Sequence, residues 1–381
     1  MSIDPEQNGI SKVQPSEMLS DAQRELNLDS ESETQEKLAT HDLEVIKSLQ
    51  TEWGTVLAGP AAKESDSYNR VWIRDNALVA LALIQAGETE LATQITDGLL
   101  GLMERYRPKI QEIIKKGKPY ATERDASLVH PVYHASGKEL EIEWGWHQND
   151  AIGSLLQAAG TLGLAEDYKG VVQDLVYYLD TVEYWQKDRG IWEEGKQVQV
   201  NTLLSCAAGL KAVSDYVEVP NEMIDVGYQF AEEIEGHSDK RYSDLAHLNP
   251  FFIGELADPR IIQEVEHELL REKGAIRYHG DRYMSGGKNK EAQWVLGLLM
   301  LGHAWLACEK PDKARAYLDK VDKLRVKNGD IPEAYIYKEN PKTKKGKYVP
   351  GEHTPLVWAH ALALSLRRQL EEKELFSGVH Q

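Results

Sequence analysis

Apolar residues recur at helical spacing along almost the whole chain from residue 43 onward, and this periodicity constrains the fold more than any other feature. One helix face is formed by the residues at i, i+4, i+8 and i+11: Leu91, Ile95, Leu99 and Leu102. Further helices are predicted to begin near Asn149, Glu166, Asn201, Pro220, Arg260, Ala292, Pro311 and Pro355. Alternation typical of strands is confined to residues 139–143 and 198–200. About twelve helices of ordinary length fit the chain, which is therefore predicted to be all-α.

Long irregular connections separate these helices, and aromatic and charged residues collect in or beside them. The connections cover residues 53–73, 106–146, 186–199, 273–290 and 325–354. Connections longer than about 15 residues are uncommon in compact domains unless they carry function. Helices that bear such loops at every second junction predict an (α/α)6 barrel, a ring of helix pairs with the functional loops on one face. A helical solenoid is the alternative, but no sequence repeat of fixed length supports it.

The first 40 residues differ in composition from the rest of the chain. They contain nine acidic and three basic residues and no aromatic residue. Because so polar a segment has little apolar surface to bury, we expect residues 1–40 to form a mobile or weakly helical acidic tail. A partner-docking arm is the alternative. Residues 41–375 are predicted to form a single (α/α)6 domain, and residues 376–381 a short C-terminal tail.

The charge balance limits the partners of this chain. It has 62 acidic and 44 basic residues, a net charge of −18. A surface of this sign repels a phosphate backbone, so no nucleic-acid partner is expected. No apolar run approaches the roughly 18 residues that span a bilayer, and the N-terminus lacks a secretory signal. Cys206 and Cys308 lie in apolar stretches and no glycosylation sequon occurs. We expect a cytoplasmic protein without membrane contact.

Familiar cofactor and metal patterns are missing from the sequence. There is neither a Gly-x-x-x-x-Gly-Lys-Ser/Thr phosphate loop nor a Gly-x-Gly-x-x-Gly motif. His130 and His134 are four residues apart but bracket Pro131, which prevents them from sharing a helix face toward a metal. His353 and His360 have no partners at ligand spacing. We expect no cofactor and no metal.

The long connections contain the side chains that carbohydrate chemistry uses. Tryptophan faces pack on the C–H faces of sugar rings, and fixed arginine and aspartate side chains bind hydroxyl groups. Two carboxyl groups that flank a glycosidic oxygen can hydrolyse the bond, one of them as acid and the other as base or nucleophile. The sequence supplies both ingredients, but composition alone does not distinguish a glycosidase from another hydrolase.

The order of the motifs is more specific. The segments are Gly54–Pro60 with Trp72-Ile-Arg-Asp75, Trp144-Gly145 with Gln148-Asn-Asp150, Ile191-Trp-Glu-Glu194, Arg277-Tyr278 with Asp281, Tyr283 and Gly286, and Pro332-Glu333 with Pro355-Leu-Val-Trp-Ala-His360. Over roughly residues 50–370 this order resembles that of the glucoamylases, glycoside hydrolase family fifteen. The resemblance implies an (α/α)6 barrel and an inverting, exo-acting α-glucosidase. Such an enzyme would release β-D-glucose from the non-reducing ends of maltooligosaccharides or glycogen-like glucans.

The resemblance also assigns roles to individual residues. Glu193 matches the general acid and Glu333 the general base. Substrate-binding roles are implied for Arg74, Asp75, Trp144, Asp150, Trp192, Glu194, Arg277 and Trp358. Structural roles are the alternatives: Asp75 and Asp150 stand at helix starts, where acids commonly cap or stabilise the first turn, and Trp144 fits a buried core position.

The two matched carboxyl groups need opposite protonation states. Glu193 must hold a proton to protonate the leaving oxygen, and burial beside Trp192 would raise its pKa. Glu333 must be ionised to take a proton from water. Glu339 and Glu352 lie in the same connection as Glu333 and are the competing candidates for the base.

Two other functions remain open at this point. Trp146-His147, Trp192-Glu193 and the segment from Glu291 to Trp294 resemble the large regulatory subunits of phosphorylase kinase, which implies a non-catalytic sugar-binding or regulatory protein. The retention of both Glu193 and Glu333 favours the enzyme. A hydrolase of another α-glucoside, such as trehalose, is equally compatible with the motifs.

Overall fold

α-Helices make up most of the structure, a computed structural model that describes residues 21–60, 68–117, 128–140, 145–343 and 345–378. Residues 1–20 of the expected acidic tail, Trp144 and residues 379–381 lie outside this part of the chain. The helices are α1 (Asp21–Ser48), α2 (Ile73–Gln85), α3 (Thr89–Arg105), α4 (Arg107–Lys116), α5 (Asn149–Thr161), α6 (Leu164–Asp167), α7 (Lys169–Thr181), α8 (Val200–Val213), α9 (Asn221–Glu233), α10 (Asn249–Phe252), α11 (Pro259–Leu269), α12 (Val295–Ala307), α13 (Pro311–Asp322) and α14 (Val357–Gly378).

Six of these helices form an inner ring in which each packs against the next: α2, α5, α8, α10, α12 and α14. The ring closes because α14 packs against α2. Inner helices are surrounded by other helices, and in α12 every residue from Val295 to Leu306 is buried. Outer helices bury one face only, as α11 does at i, i+1, i+4 and i+8 from Ile261. The predicted all-α (α/α)6 barrel is confirmed.

Glycines allow two inner helices to approach closely. A Cβ atom on Gly153 of α5 would lie 2.5 Å from the backbone of Ser205 in α8, and one on Gly209 of α8 would lie 2.1 Å from the carbonyl oxygen of Gly153. Any side chain here would push the two backbones apart. The missing side chains therefore set the spacing between α5 and α8.

Short strands join the loops on one side of the ring. The described residues form β1 (Val71–Trp72), β2 (Val132–Tyr133), β3 (Gln293–Trp294), β4 (Ala334–Glu339) and β5 (Gly346–Pro350). β1 pairs with β2, and β3, β4 and β5 form a second sheet in that order, with all pairs antiparallel. β1 leads directly into α2, and β3 leads directly into α12. The strands thus fix the loops at the start of these inner helices.

The strand expectations were only partly met: of residues 139–143, Glu139 forms an isolated bridge to Tyr133 of β2. The β4–β5 hairpin falls within residues 325–354, which were expected to be irregular, because its partly exposed strands carry lysines and lack an apolar alternation. Residues 198–200 supply only an isolated bridge through Gln199 before α8 begins. Residues 141–143 lie outside the described residues.

The domain boundary expected at residue 40 lies inside α1. Ala39 is buried, and Arg368 of α14 donates a hydrogen bond to Glu36 at 2.7 Å. α14 likewise continues to Gly378, beyond the expected end of the domain. Contacts between α1 and the barrel therefore begin before residue 40.

Candidate active site

A cavity of about 360 Å³ opens where inner helices begin. Its wall is formed by Ala58, Tyr68, Trp72, Arg74, Asp75, Ile191, Trp192, Glu193, Glu194, Arg277, Tyr283, Trp294, Leu296, Glu333, Leu356 and Trp358. The first turns of α2, α12 and α14 supply part of this wall, and the positive ends of helix dipoles favour carboxylates there. Four of the five long connections expected to carry function supply the rest, apart from Trp294 and Leu356, which lie between those connections and the inner helices.

Arg74 anchors one side of the cavity from the first turn of α2. Its guanidinium forms a two-point pair with Asp150, with nitrogen–oxygen distances of 2.6 and 3.0 Å. It also donates to the Glu193 carboxylate at 3.0 Å and to the carbonyl oxygen of Gly190 at 2.8 Å. Only 3% of the Arg74 side chain is exposed. Burial opposes its charge, but Asp150 raises the pKa of Arg74, so the guanidinium is a fixed cation.

Asp150 does not line the cavity, although a substrate-binding role was expected for it. Its carboxylate accepts hydrogen bonds from Arg74 and, at 3.1 Å, from Asn201 of α8. It is buried at the start of α5 and holds Arg74 in place. Asp75 does line the cavity. Burial raises the pKa of Asp75 to about 7; the positive charge of Arg74 opposes this shift, and the negative charge of Glu193 adds to it.

Glu193 lies on a tight turn, and its carboxylate contacts Arg74. Its backbone φ is 59°, in the left-handed region that costs a non-glycine residue about 1–3 kcal/mol, and such strain is concentrated at functional sites. The turn is closed by the Glu193 N–H, which donates to the carbonyl oxygen of Gly190 at 3.1 Å. Trp192 is pinned because its indole N–H donates to buried Asp244 at 2.6 Å. The Glu193 side chain remains 15% exposed, toward the cavity.

Glu194 and Arg277 form a second ion pair on the cavity wall. Arg277 donates to Glu194 at 2.9 Å and is held by Asp281 through two hydrogen bonds of 2.7 and 2.8 Å. Arg241 also donates to Glu194, at 2.6 Å. The Arg277 guanidinium lies 4.9 Å from the ring centre of Trp294, which adds a cation–π contact. Both partners are rigid, so they can present fixed polar groups to a ligand.

Glu333, just before β4, also lines the cavity. Its backbone is held by hydrogen bonds to Val295 and His353 of 3.0 and 3.1 Å. The Tyr68 hydroxyl donates to Oε1 at 2.6 Å, while Oε2 is buried and has no hydrogen-bond partner among the described residues. Burial raises the pKa of Glu333 to about 8; Tyr68 opposes this shift, and the negative charge of Asp75 adds to it.

The surroundings of the two carboxyl groups differ from those expected from the sequence. Arg74 places a permanent positive charge beside Glu193, the matched general acid. Burial raises the pKa of Glu333, the matched base, to about 8, which favours its protonated form near neutral pH. The only sequence signal for burial of Glu193 was the neighbouring Trp192. The contact between Glu193 and Arg74 could not be predicted from the local sequence.

The structure brings together most of the residues selected from the sequence. Arg74, Asp75, Trp192, Glu193, Glu194, Arg277, Glu333 and Trp358 all line the cavity. Trp144 lies outside the described residues, and the competing acids Glu339 and Glu352 are not in the wall. Sequence reasoning gave no role to Tyr68 or Trp294, although both are aromatic residues beside functional connections, which was the available signal.

The described residues contain no group of three or more histidine, cysteine, aspartate or glutamate side chains arranged to hold a metal ion. The cavity wall instead offers carboxyl groups paired with arginines and indole rings. Within the same residues, none of the helices has both the length and the apolar character needed to cross a membrane.

Solved structures with a similar fold are glycosidases and glucoamylases. The structure of a wild-type glycosidase has 20% identity and a TM-score of 0.71, covering 88% of this chain and 96% of its own. A bacterial glucoamylase complexed with acarbose has 18% identity and a TM-score of 0.64, covering 88% of this chain and 55% of its own. The glucoamylase of Hormoconis resinae has 15% identity and a TM-score of 0.61, covering 89% and 73%. At these identities the likeness concerns the fold.

Sequence comparison identifies the family. No curated protein sequence matches this chain. The family model described as glycosyl hydrolases family 15 matches residues 43–246, more than half of the chain, including Arg74, Glu193 and Glu194. This match shows that the chain belongs to glycosyl hydrolase family 15 and is a glycoside hydrolase, and the (α/α)6 barrel agrees with it.

Proposed function

We propose that this protein is an inverting, exo-acting α-glucosidase that releases β-D-glucose from the non-reducing ends of maltooligosaccharides or glycogen-like glucans. The observation that carries the proposal is the meeting of Glu193 and Glu333, which are far apart in sequence, in the wall of one cavity. A glycosidase needs two carboxyl groups on opposite sides of the scissile bond.

Unpartnered polar atoms in the wall support a sugar as the ligand. The indole N–H groups of Trp294 and Trp358 and Oε2 of Glu333 are buried without hydrogen-bond partners among the described residues. Such atoms gain most from a ligand that both donates and accepts, as a sugar hydroxyl does. Solved structures of a similar glycosidase and a similar glucoamylase hold glucose and acarbose, which are ligands of this chemistry.

The size of the cavity favours exo-action. At about 360 Å³ it lies at the small end of the range of roughly 300–1,000 Å³ for small-molecule sites. Arg74 and Asp75 offer fixed polar groups to the outer hydroxyls of a terminal glucose, and Trp192 offers an aromatic face. A short saccharide end fits this space better than the middle of a polymer.

In the proposed mechanism Glu193 protonates the glycosidic oxygen while Glu333 accepts a proton from water. Tyr68 fixes Oε1 of Glu333, so Oε2 is the oxygen available to the water. Water attacks the face opposite the leaving group, which inverts the anomeric configuration; the two carboxyl groups of inverting enzymes stand about 6.5–9.5 Å apart. Burial raises the pKa of Glu333, so the ionised form that the base needs becomes more populated as the pH rises toward about 8.

The test is a substrate panel read by NMR. Maltooligosaccharides, glycogen, isomaltose and trehalose are each incubated with the protein, and the anomer of the first glucose released is recorded. We expect β-glucose, fastest from the α-1,4-linked substrates. α-Glucose as the first product would refute inversion. Faster hydrolysis of trehalose than of the α-1,4-linked substrates would identify trehalose as the better substrate and contradict the proposed substrate class. Sugar binding without hydrolysis of any panel member would favour a regulatory protein.

Two variants assign the acid and the base. Glu193→Gln should abolish hydrolysis of maltose yet spare much of the activity on α-glucosyl fluoride, whose leaving group needs little acid help. Glu333→Gln should depress both reactions by about 10²–10⁴-fold. Glu352→Gln, in the same connection but outside the cavity wall, is the matched control. Hydrolysis of maltose at the wild-type rate by either cavity variant would contradict these roles.

A further inference from the structure

A buried charged network lies between α1, α14 and the segment that leads to Glu333. Asp42 of α1 is fully buried and accepts two hydrogen bonds from Arg325, at 2.6 and 2.8 Å. The His360 ring of α14, also fully buried, contacts the same carboxylate through Nδ1 at 2.6 Å. None of these three residues lines the catalytic cavity. The network therefore has no direct access to a substrate.

The second nitrogen of His360 connects this network to the segment that carries the proposed base. The backbone N–H of Ile331 donates to Nε2 at 3.0 Å, two residues before Glu333. A nitrogen that accepts from an N–H must be unprotonated, so His360 carries its proton on Nδ1 and donates it to Asp42. Asp42 therefore selects the tautomer that can hold Ile331.

We propose that His360 is a positioning residue for the proposed general base: Asp42 orients its ring, and its Nε2 holds the Ile331 N–H so that the following segment presents Glu333 to the attacking water. This inference rests on the proposed function, because it needs Glu333 to act on the substrate. It gives α1 a role in catalysis, since Asp42 belongs to that helix.

Protonation of His360 would break the connection. A hydrogen on Nε2 would point at the Ile331 N–H, and neither group could then accept. The charged and titratable groups around the ring are Asp42 and His41 on α1, and Arg325 and Asp330 on the segment before Ile331. Burial lowers the pKa of His360, and the hydrogen bond to Asp42 opposes this shift. The break is therefore expected only on the acid side of neutrality.

Two substitutions at His360 separate its two nitrogens. In His360→Gln the amide oxygen can occupy the place of Nε2 and accept from Ile331. In His360→Asn the shorter side chain can donate to Asp42 but cannot reach Ile331. The matched control is His303→Asn: His303 is a buried histidine of α12 whose Nε2 bonds the carbonyl oxygen of Leu362, away from the cavity wall.

We expect kcat on maltotriose to fall about 10–100-fold in His360→Asn with KM nearly unchanged, because a displaced base slows chemistry without removing binding contacts. His360→Gln should recover most of this loss, and His303→Asn should keep the wild-type kcat. Equal losses in the Gln and Asn variants, or equal kcat in His360→Asn and His303→Asn, would overturn the proposal.

Glu333→Gln is measured in parallel to keep the two hypotheses apart. If it retains wild-type activity, the proposed function fails; if it is inactive while His360→Asn behaves as the control, only the positioning role fails. Should His360→Asn not fold, the wild type and His360→Gln decide from their pH profiles. We expect the acid-side fall of kcat to be steeper in the wild type, because glutamine cannot take up a proton. Identical profiles would refute the positioning role.

Discussion

Replacement of Glu333 by glutamine should remove activity. It should also raise the free energy of unfolding relative to that of the wild type, by an amount that grows as the pH rises. Glu333 is 6% exposed, and burial raises the pKa of its carboxyl group from 4.5 to about 8. Between these two values the unfolded chain has lost the proton and the folded protein still holds it. The folded wild type therefore loses stability as the pH rises through this window, and glutamine, which does not titrate, removes the loss.

The size of this stability difference follows from the pKa shift of Glu333. One pKa unit corresponds to about 1.4 kcal/mol, so the free energy of unfolding of Glu333→Gln should gain about 3–4 kcal/mol on that of the wild type between about pH 5 and pH 8. Any difference in packing between the two side chains adds a constant and leaves this slope unchanged. Glu339→Gln, an exposed acid in β4, is the control that should show no such slope.

Urea unfolding followed by tryptophan fluorescence, at half-unit steps of pH, measures the difference directly. The same series with maltotriose gives kcat/KM, which we expect to rise with pH toward about 8 in the wild type, as the base ionises. Parallel stability curves for the wild type and Glu333→Gln would refute the reasoning. They would mean that Glu333 is already ionised in the folded protein at neutral pH.

Three further substitutions test residues that hold the side chains of the cavity wall in place. Tyr68→Phe removes the hydroxyl that lowers the pKa of Glu333, so the acid limb of the kcat/KM profile should move up by about 1–2 units; an unmoved limb would show that this hydrogen bond does not matter. Asp150→Asn breaks a buried pair with Arg74 and should lower the free energy of unfolding by about 3–5 kcal/mol, which urea titration would detect or contradict. Gly190→Ala places a Cβ 2.0 Å from a neighbouring side-chain amide at a φ of 55°, so both the melting temperature and kcat should fall, and unchanged values would mean that the turn adapts.

The sequence determined those parts of the architecture that depend on local patterns of residues. Apolar periodicity identified the helices, because a helix buries a face that repeats every few residues whatever its partners are. The same logic missed the β4–β5 hairpin, whose lysine-bearing strands bury no alternating face. It also set a boundary at residue 40, because an acidic composition does not reveal that Glu36 meets Arg368 at the far end of the chain.

The residues of the candidate site were likewise predicted in part from the sequence, while their contacts were decided by the tertiary structure. The order of the motifs selected Arg74, Glu193 and Glu333, since each lies in a short recognisable segment. Only the closed ring of helices decided that Asp150 supports Arg74 instead of reaching the cavity, and that Tyr68 holds Glu333.

Protonation, too, was decided by the tertiary structure. The pKa of a carboxyl group depends on burial and on charges that arrive from distant parts of the chain, such as Asp75 beside Glu333. A sequence records which groups are present, and only packing of the ring sets the distances and the burial that give them their charge.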